Sequence, residues 1–337
     1  MTELKLELGE RSYIITVGHG LLAKAGELMK LDRKVFIVTD SGVPREYAEA
    51  IANAAGDACI YTIPMGEASK NLNTFSSILS EMLKFGMTRT DCAVAVGGGV
   101  VGDITGFAAA CFMRGIDFYN VPTTVLSQVD SSIGGKTAVD LDGVKNIVGA
   151  FHQPKAVLID LDVLKTLDKR QISAGLAEAV KMSLTSDAEL FSIFENEDIG
   201  KDNIETVIVR SLMIKKQVVE EDEREAGLRK ILNFGHTFGH GIEAVSSADG
   251  MLHGECVALG MIPMTKDTVR ERLIHVLKKL NLPYAYQSNI DSALDFATHD
   301  KKCRGGLIDV ILVDRIGQYK IERMKIEDFK AHVRNNI

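Results

Sequence analysis

Tryptophan is absent from the 337 residues, and cysteine is scarce. The five cysteines (Cys59, Cys92, Cys111, Cys256 and Cys303) are odd in number, scattered, and form no CxxC pair. That pattern fits free thiols in a reducing compartment better than a disulfide framework. No apolar run of eighteen residues occurs, so no membrane span is expected. The opening stretch, MTELKLELGERSY, is charged and alternating and lacks the apolar core of a secretory leader. A cytoplasmic location is the expectation. Positive charge is not in excess either: 39 Lys and Arg against 46 Asp and Glu leave a formal charge of −7. That balance argues against a general nucleic-acid or membrane-surface partner, yet allows a local basic pocket. Internal repeats and low-complexity tracts are also missing.

What remains is an ordinary globular composition, 46% hydrophobic and 25% charged, in a chain long enough for two domains. Residues 3–17 alternate apolar and polar around Gly9-Glu10, which predicts a β-hairpin. A short helix is expected over 20–30. VFIVTD (35–40) reads as a buried parallel strand ending in Asp40. An acid there either accepts from ribose hydroxyls or caps the next helix. Helices are expected over 46–55 and 73–86, with a strand and turn over 59–66.

A strand at 93–96 then runs into Gly97, Gly98, Gly99 and Gly102 before a small-residue helix. The glycines satisfy GxGxxG formally, and such a turn exposes helix-start N–H groups to a pyrophosphate. By itself the string is weak: it is not in the first βα unit, and Asp117 comes early for a ribose-binding acid. A variant dinucleotide turn and a plain tight turn both remain open. Residues 117–154 form the least core-like stretch, with Thr123, Thr124, Asp130, Ser131, Ser132, Gly134, Gly135, Lys136, Lys145 and Asn146. Hydroxyls, glycine backbone and paired lysines in loops suit a phosphate or polyol; a solvated loop is the bland alternative. KAVLIDL (155–161) is expected to close the sheet. From 169 helical periodicity dominates. The expected domains are therefore an α/β Rossmann-like unit over 1–168 and a helical one over 169–337, with LIDVILVD near 307–314 as a candidate late strand.

Three of the eight histidines, His236, His240 and His253, fall within eighteen residues. His236 and His240 are four apart, which puts both imidazoles on one helix face. HxxxH without HExxH is a weak motif, so a metal site and a pair of locally bonded histidines are both admissible. Glu178, in AGLAEAVK, sits among small and apolar neighbours and needs a partner. A metal is one candidate and Lys181, at i+3, the other. Arg229, Asn233, His236 and His240 are offset by 4, 7 and 11, one continuous stripe of polar groups along a helix. Guanidinium, amide and imidazole together suit the wall of an anionic pocket. Lys215, Lys216 and the acids 220–223 and 225 read first as a solvated turn.

Taken together, GGGVVGD (97–103), VPTTVLSQVDSSIGGKTAVD (121–140), KNIVGAFHQP (145–154), SAGLAEAVK (173–181), KKQVVEEDEREAGLR (215–229), LNFGHTFGHGIE (232–243), LHGECVALGM (252–261) and HDKK (299–302) resemble the 3-dehydroquinate synthase family of sugar phosphate cyclases. The match runs in order along almost the whole chain. It implies an NAD-binding α/β N-terminal domain, an all-helical C-terminal domain, an active site in the cleft between them, and a homodimer. It further implies Glu178, His236 and His253 as ligands of a divalent metal, normally zinc with cobalt as an alternative, and His240 as a proton-handling neighbour.

By the same resemblance, Asp40, Gly66, Glu67, Lys70, Gly99, Val100, Val101, Gly102, Asp103, Thr123, Thr124, Lys136, Lys145, Val163, Leu164, Lys165 and Thr166 would surround NAD. Asp130, Lys136, Asn146, Lys181, Lys215, Glu225, Arg229, Asn233 and His240, with Lys301 or Lys302, would meet the substrate. Arg114 would reach the partner subunit's pocket. The implied reaction converts 3-deoxy-D-arabino-heptulosonate 7-phosphate to 3-dehydroquinate and phosphate with recycled NAD, the second step of the shikimate pathway. Two features depart from the family: a shorter stretch between Met261 and Asn281, and an altered loop, SSADGM, before His253. Rival readings are a cyclase for another sugar phosphate, an NAD-dependent polyol dehydrogenase and a non-catalytic sugar-phosphate sensor.

Overall fold

The computed structural model describes residues 1–225, 227–246, 250–286, 289–299 and 306–337. The chain divides into two compact units, Met1–Leu167 and Asp168–Ile337.

Unit 1 is built on a seven-stranded sheet. In chain order its elements are β1 (Thr2–Leu6), β2 (Tyr13–Gly18), α1 (Ala25–Leu28), β3 (Lys34–Asp40), α2 (Arg45–Asn53), β4 (Asp57–Ile63), α3 (Leu72–Lys84), β5 (Cys92–Gly97), α4 (Gly99–Cys111), β6 (Asp117–Pro122), β7 (Lys136–Leu141), β8 (Val144–Phe151) and β9 (Ala156–Asp160). The sheet order is β1-β2-β9-β6-β5-β3-β4, antiparallel only between β1 and β2. The expected hairpin at 3–17 is therefore the edge of a parallel sheet. KAVLIDL does not close that sheet: β9 pairs with β2 on one side and β6 on the other. Its residues Val157 to Ile159 are all buried, which suits an interior strand better than an edge.

Strand alternation fills both faces. Phe36 and Val38 of β3 pack with Ile104 and Phe107 of α4, while Val35 and Ile37 face Ala48 and Ile51 of α2. Because the central strands are parallel, Asp40, Gly97, Pro122 and Asp160 all end on one edge, where α/β sheets carry their ligands.

The stretch 117–154 is more ordered than its composition suggests. It contains β6, a single turn of π-helix over Ser127–Ser131, and the β7–β8 hairpin, whose register pairs Lys136 with Phe151 and Leu141 with Val144. The signal was Asp142-Gly143, both at positive φ (51° and 78°), the dipeptide that favours a hairpin turn.

Unit 2 contains α5 (Lys169–Ser186), α6 (Ala188–Asn196), α7 (Lys201–Glu221), α8 (His236–Val245), α9 (His253–Met261), α10 (Asp267–Lys279), α11 (Ile290–His299), β10 (Leu307–Arg315), β11 (Gln318–Lys325) and α12 (Ile326–Asn336). It is helical apart from the β10–β11 hairpin; the late strand at 307–314 exists and brings a partner with it. Asp168 caps α5 by accepting from Arg170 N at 2.8 Å. From Ala174 to Thr185 every residue of α5 is buried, so over that span, beyond its exposed first turn, this helix has no solvent face. Among the described residues no helix is long and apolar enough to cross a membrane.

Candidate active site

Burial decides the status of Glu178. Its side chain and that of Lys181 are 1% and 2% exposed and make direct ion contact. A solvated surface pair is thereby excluded. Neither carboxylate oxygen makes a hydrogen bond of good geometry, although Oε1 stands 3.5 Å from Nε2 of both His236 and His253.

The far nitrogens of these imidazoles are already committed. His236 Nδ1 lies 3.1 Å from the Phe234 carbonyl, which can only accept, so Nδ1 carries the proton. His253 Nδ1 lies 3.2 Å from Glu243 Oε2, which fixes that ring in the same way. Each imidazole therefore turns its Nε2 toward Glu178. Histidine ligands of metals are characteristically oriented by such a second bond. Three donors about 3.3–3.4 Å apart form the face of a tetrahedron with bonds of about 2.0–2.1 Å, close to the 3.5 Å separations found. A borderline-soft divalent ion such as zinc fits this N₂O set.

His240 belongs to the same cluster. His236, His240 and His253 present ligand atoms within 4.8 Å of one another. The rings of His236 and His240 meet edge-on at 5.2 Å. Two ligand sets are thus geometrically available, sharing His236 and His253 and differing in Glu178 or His240. The buried carboxylate favours the first: Oε2 is taken by Lys181, while Oε1 faces both imidazoles with no hydrogen bond of its own.

Electrostatics agree with that reading. Burial pushes the Glu178 pKa up, but Lys181 and the two imidazoles outweigh it and hold the carboxyl well below its usual range. Burial and then Lys181 keep His236 neutral, well below an ordinary histidine. For His253 burial opposes protonation, yet Glu178 and Glu243 raise it to about 9. A site that holds a proton between a carboxylate and an imidazole offers the same electrostatic well to a cation.

Close helix packing brings the donors together. A Cβ on Gly254 would stand 1.8 Å from the Ala174 carbonyl oxygen, and one on Gly260 would stand 2.0 Å from that of Gly235. Thus α9 lies backbone against α5 one turn from Glu178, and against the start of α8 beside His236.

The stripe of Arg229, Asn233, His236 and His240 is not one helix. A 3₁₀ segment, Leu228–Asn233, ends at extended Phe234, and Gly235 takes φ +76° before α8 begins. Only glycine enters that conformation cheaply. The break frees the Phe234 carbonyl to receive His236. Nor is the charged stretch after Lys215 merely a solvated turn. Lys215 is 4% exposed and Arg229 1%. Asp222 Oδ2 accepts from Gly227 N at 2.7 Å and from Arg229 N at 3.0 Å. Asn233 Nδ2 donates to Glu225 Oε1 at 2.8 Å. Lys301 and Lys302 lie outside the described residues.

In unit 1 the glycine turn joins β5 to α4, and Gly98 N-caps that helix. Val100, Val101 and Gly102 form its first turn, where Gly102 N donates to Gly98 O at 3.0 Å. Thr123 N donates to Gly97 O at 2.9 Å, and Thr124 Oγ1 meets Ser127 Oγ at 2.9 Å. Lys70, 5% exposed, sits 2.6 Å from Asp103 and donates to Asn146 Oδ1. Burial lowers its pKa, but Asp103 and Glu67 outweigh that and raise it. Glu67 lies 3.9 Å from Lys70 and 4.0 Å from Lys145.

Gly66, at φ +104°, opens the turn that carries Glu67. Asp40 caps no helix; its Oδ1 accepts from Gly42 N at 2.8 Å, and the next helix has Pro44 as N-cap. Val163, Leu164, Lys165 and Thr166 lie on a 3₁₀ segment, where Thr166 meets the Tyr47 hydroxyl at 2.9 Å. Asp130 is half-buried; Lys136, Lys145 and Asn146 are exposed on the hairpin. Arg114 is exposed at φ +68°.

Residue reasoning missed Glu243 and Arg170. Glu243 is three residues after His240 and seven after His236, so the period of α8 already placed it on their face. Arg170, paired with Glu255 across 85 residues, left no local signal.

Comparison with known proteins is consistent along the chain. Residues 60–174 match the sequence profile described as 3-dehydroquinate synthase N-terminal, and residues 175–303 match the C-terminal one. The 3-dehydroquinate synthase of Clostridium acetobutylicum is 42% identical, covering 99% of both chains. Among solved structures, 2-epi-5-epi-valiolone synthase from Streptomyces hygroscopicus subsp. jinggangensis, with NAD+ and Zn2+ bound, has a TM-score of 0.87 at 28% identity over 98% of both chains. A 2-deoxy-scyllo-inosose synthase complexed with carbaglucose-6-phosphate, NAD+ and Co2+ has a TM-score of 0.86 at 27% identity over the full length of both. With profiles matched through both units and a relative at 42% identity end to end, the chain belongs to the 3-dehydroquinate synthase family.

Proposed function

We propose that this chain is a phosphate-eliminating lyase that converts 3-deoxy-D-arabino-heptulosonate 7-phosphate to 3-dehydroquinate and phosphate. The observation that carries the reading is the buried Glu178 carboxylate with two oriented imidazoles 3.5 Å away. Glu178, His236 and His253 would hold the divalent ion, zinc or cobalt. The edge of unit 1 around Gly99–Asp103, Asp40, Lys70, Thr123 and Thr124 would hold NAD. When bound, the ion supplies a Lewis acid for the substrate hydroxyls and NAD a hydride acceptor regenerated within each cycle.

The chain's own groups bind, orient and handle protons. Arg229 and Lys215, both buried, present fixed positive charge to the carboxylate and phosphate of the substrate, and a guanidinium suits bidentate contact. Lys181 balances the charge of Glu178 in the buried pair. Glu225 holds Asn233 by its amide hydrogen, so the carbonyl end of that side chain stays available to a hydroxyl. Lys70 plays the converse part for Asn146: it occupies Oδ1 and leaves the amide N–H groups to donate. Asp130 and Lys136 would meet the substrate, as the family resemblance implies. His240, adjoining two ligand rings, takes up and returns a proton at its imidazole. The site thereby holds one conformer and supplies charge. Arg114, on its strained turn, would serve a partner subunit's pocket in a homodimer. A cytoplasmic enzyme of the shikimate pathway is the setting we propose.

Purified protein incubated with NAD+, zinc and the heptulosonate phosphate should release phosphate with no net NADH. Steady NADH accumulation from a simple polyol, without phosphate release, would place the chain with the dehydrogenases instead.

A further inference from the structure

Glu255 is held by three hydrogen bonds, although none of them comes from a group assigned to the reaction. Its Oε2 accepts from Leu252 N at 2.8 Å, which closes the first turn of α9. Arg170, in the first turn of α5, grips both of its oxygens, Nε to Oε1 at 2.6 Å and Nη2 to Oε2 at 2.7 Å. The same Nη2 donates to the Gly250 carbonyl at 2.9 Å. One guanidinium thus joins three things: the start of the helix carrying Glu178, the start of the helix carrying His253, and the chain just before His253. Four residues further along α5, Ala174 receives Gly254 at backbone contact. With Gly254 as fulcrum and Arg170–Glu255 as tie, α9 has a single seating on α5. His253, the first residue of α9, is aimed by that seating.

We propose that Arg170 and Glu255 are positioning residues for the metal centre, a clamp that sets His253 Nε2 against Glu178 before any ion arrives. This rests on the metal reading of Glu178, His236 and His253. The pair is worth having because a ligand set spread over three helices must otherwise be ordered by the ion itself, at a cost to affinity. Arg170 is half exposed, so the Coulomb attraction alone is weak. The bidentate geometry and the third bond to Gly250 give it directional value.

The test is Co2+ binding to full-length protein stripped with chelator, followed by the visible ligand-field absorption of the bound ion. Unmodified protein should bind one Co2+ per chain, and His236→Ala none. Arg170→Ala and Glu255→Ala should weaken Co2+ by about 10–100-fold, the usual cost of losing an orienting partner, with an altered band. Arg170→Lys keeps the charge and loses the fork, so it should fall between. It also guards against a variant that fails to fold, with urea unfolding of each stripped protein run alongside. A purely structural clamp would lower the unfolding midpoint and leave both Co2+ affinity and band unchanged, which overturns the proposal. If the unmodified protein binds no Co2+, or His236→Ala binds it normally, the metal reading itself fails and the clamp with it.

Discussion

At their candidate sites the two units use glycine for opposite purposes. In unit 1 a Cβ on Gly99 would meet only the Ser131 side chain, at 3.2 Å, so the turn is bare toward a ligand. In unit 2 a Cβ on Gly254 or Gly260 would strike a neighbouring helix's backbone at 1.8 or 2.0 Å. The first kind of glycine clears a surface for backbone N–H groups to work on a phosphate. The second removes side-chain bulk so that other side chains converge. A site made of backbone tolerates the loss of one side chain; a site made of buried side chains does not. Each prediction below bears on that contrast.

Glu178→Ala should have the largest effect. It removes a ligand and strands Lys181, 1% exposed, without its carboxylate. Turnover should vanish, and urea unfolding of the ion-free protein should show a loss of about 3–5 kcal/mol. The matched change in unit 1, Lys145→Ala, should leave folding intact and weaken NAD+ by no more than about tenfold by calorimetry, since one exposed lysine contributes little beyond about 1 kcal/mol.

Next comes His240→Ala. Its imidazole adjoins the ligand rings but is not needed to complete the set with Glu178. Turnover should fall by about 10²–10⁴-fold, as for loss of a proton-transfer group, while bound metal is retained.

The glycines supply the third prediction. Gly254→Ala should cost about 1–3 kcal/mol or more by urea unfolding, because backbone cannot yield as a side chain does. Gly99→Ala should unfold within about 0.5 kcal/mol of the unmodified protein, as away from such clashes, yet bind NAD+ measurably less well.

The same contrast explains what could be read from sequence. The α/β unit was legible strand by strand, because a period of two and glycine punctuation are local signals. The errors there were of context. Strand β9 looked terminal because it comes last in its unit, and the β7–β8 hairpin was hidden by its polar residues despite Asp142-Gly143. In unit 2 helices were legible but burial was not. Glu178 and Lys181 spell a surface pair at i, i+3, and only packing around α5 reveals a buried one. The polar stripe through Arg229 and His240 assumed a helix that Gly235 interrupts. The metal set came from a family resemblance, and Glu243 and Arg170 show how much orientation depends on contacts distant in sequence.

The smallest effect tests a contact remote from both sites. Asp187 caps α6 by accepting from Leu190 N at 3.0 Å and pairs with Arg210 at 2.7 Å. Burial raises its pKa, but the Arg210 and backbone bonds outweigh that and lower it. A depressed carboxylate stabilises the fold above its unfolded pKa of about 3.9, and that contribution is lost as pH falls through the folded value. Asp187→Ala should therefore cost about 1 kcal/mol at neutral pH, with solvent screening limiting the ion-pair share, and the difference should shrink below about pH 4. Urea midpoints across pH would show it.

Zinc stoichiometry after dialysis bears most directly on the central claim, measured on the unmodified protein and on Glu178→Ala, His236→Ala, His253→Ala and His240→Ala. The account predicts one zinc per chain in the unmodified protein and in His240→Ala, and none in the other three. Zinc kept by Glu178→Ala and lost from His240→Ala would identify a three-imidazole site and contradict the account.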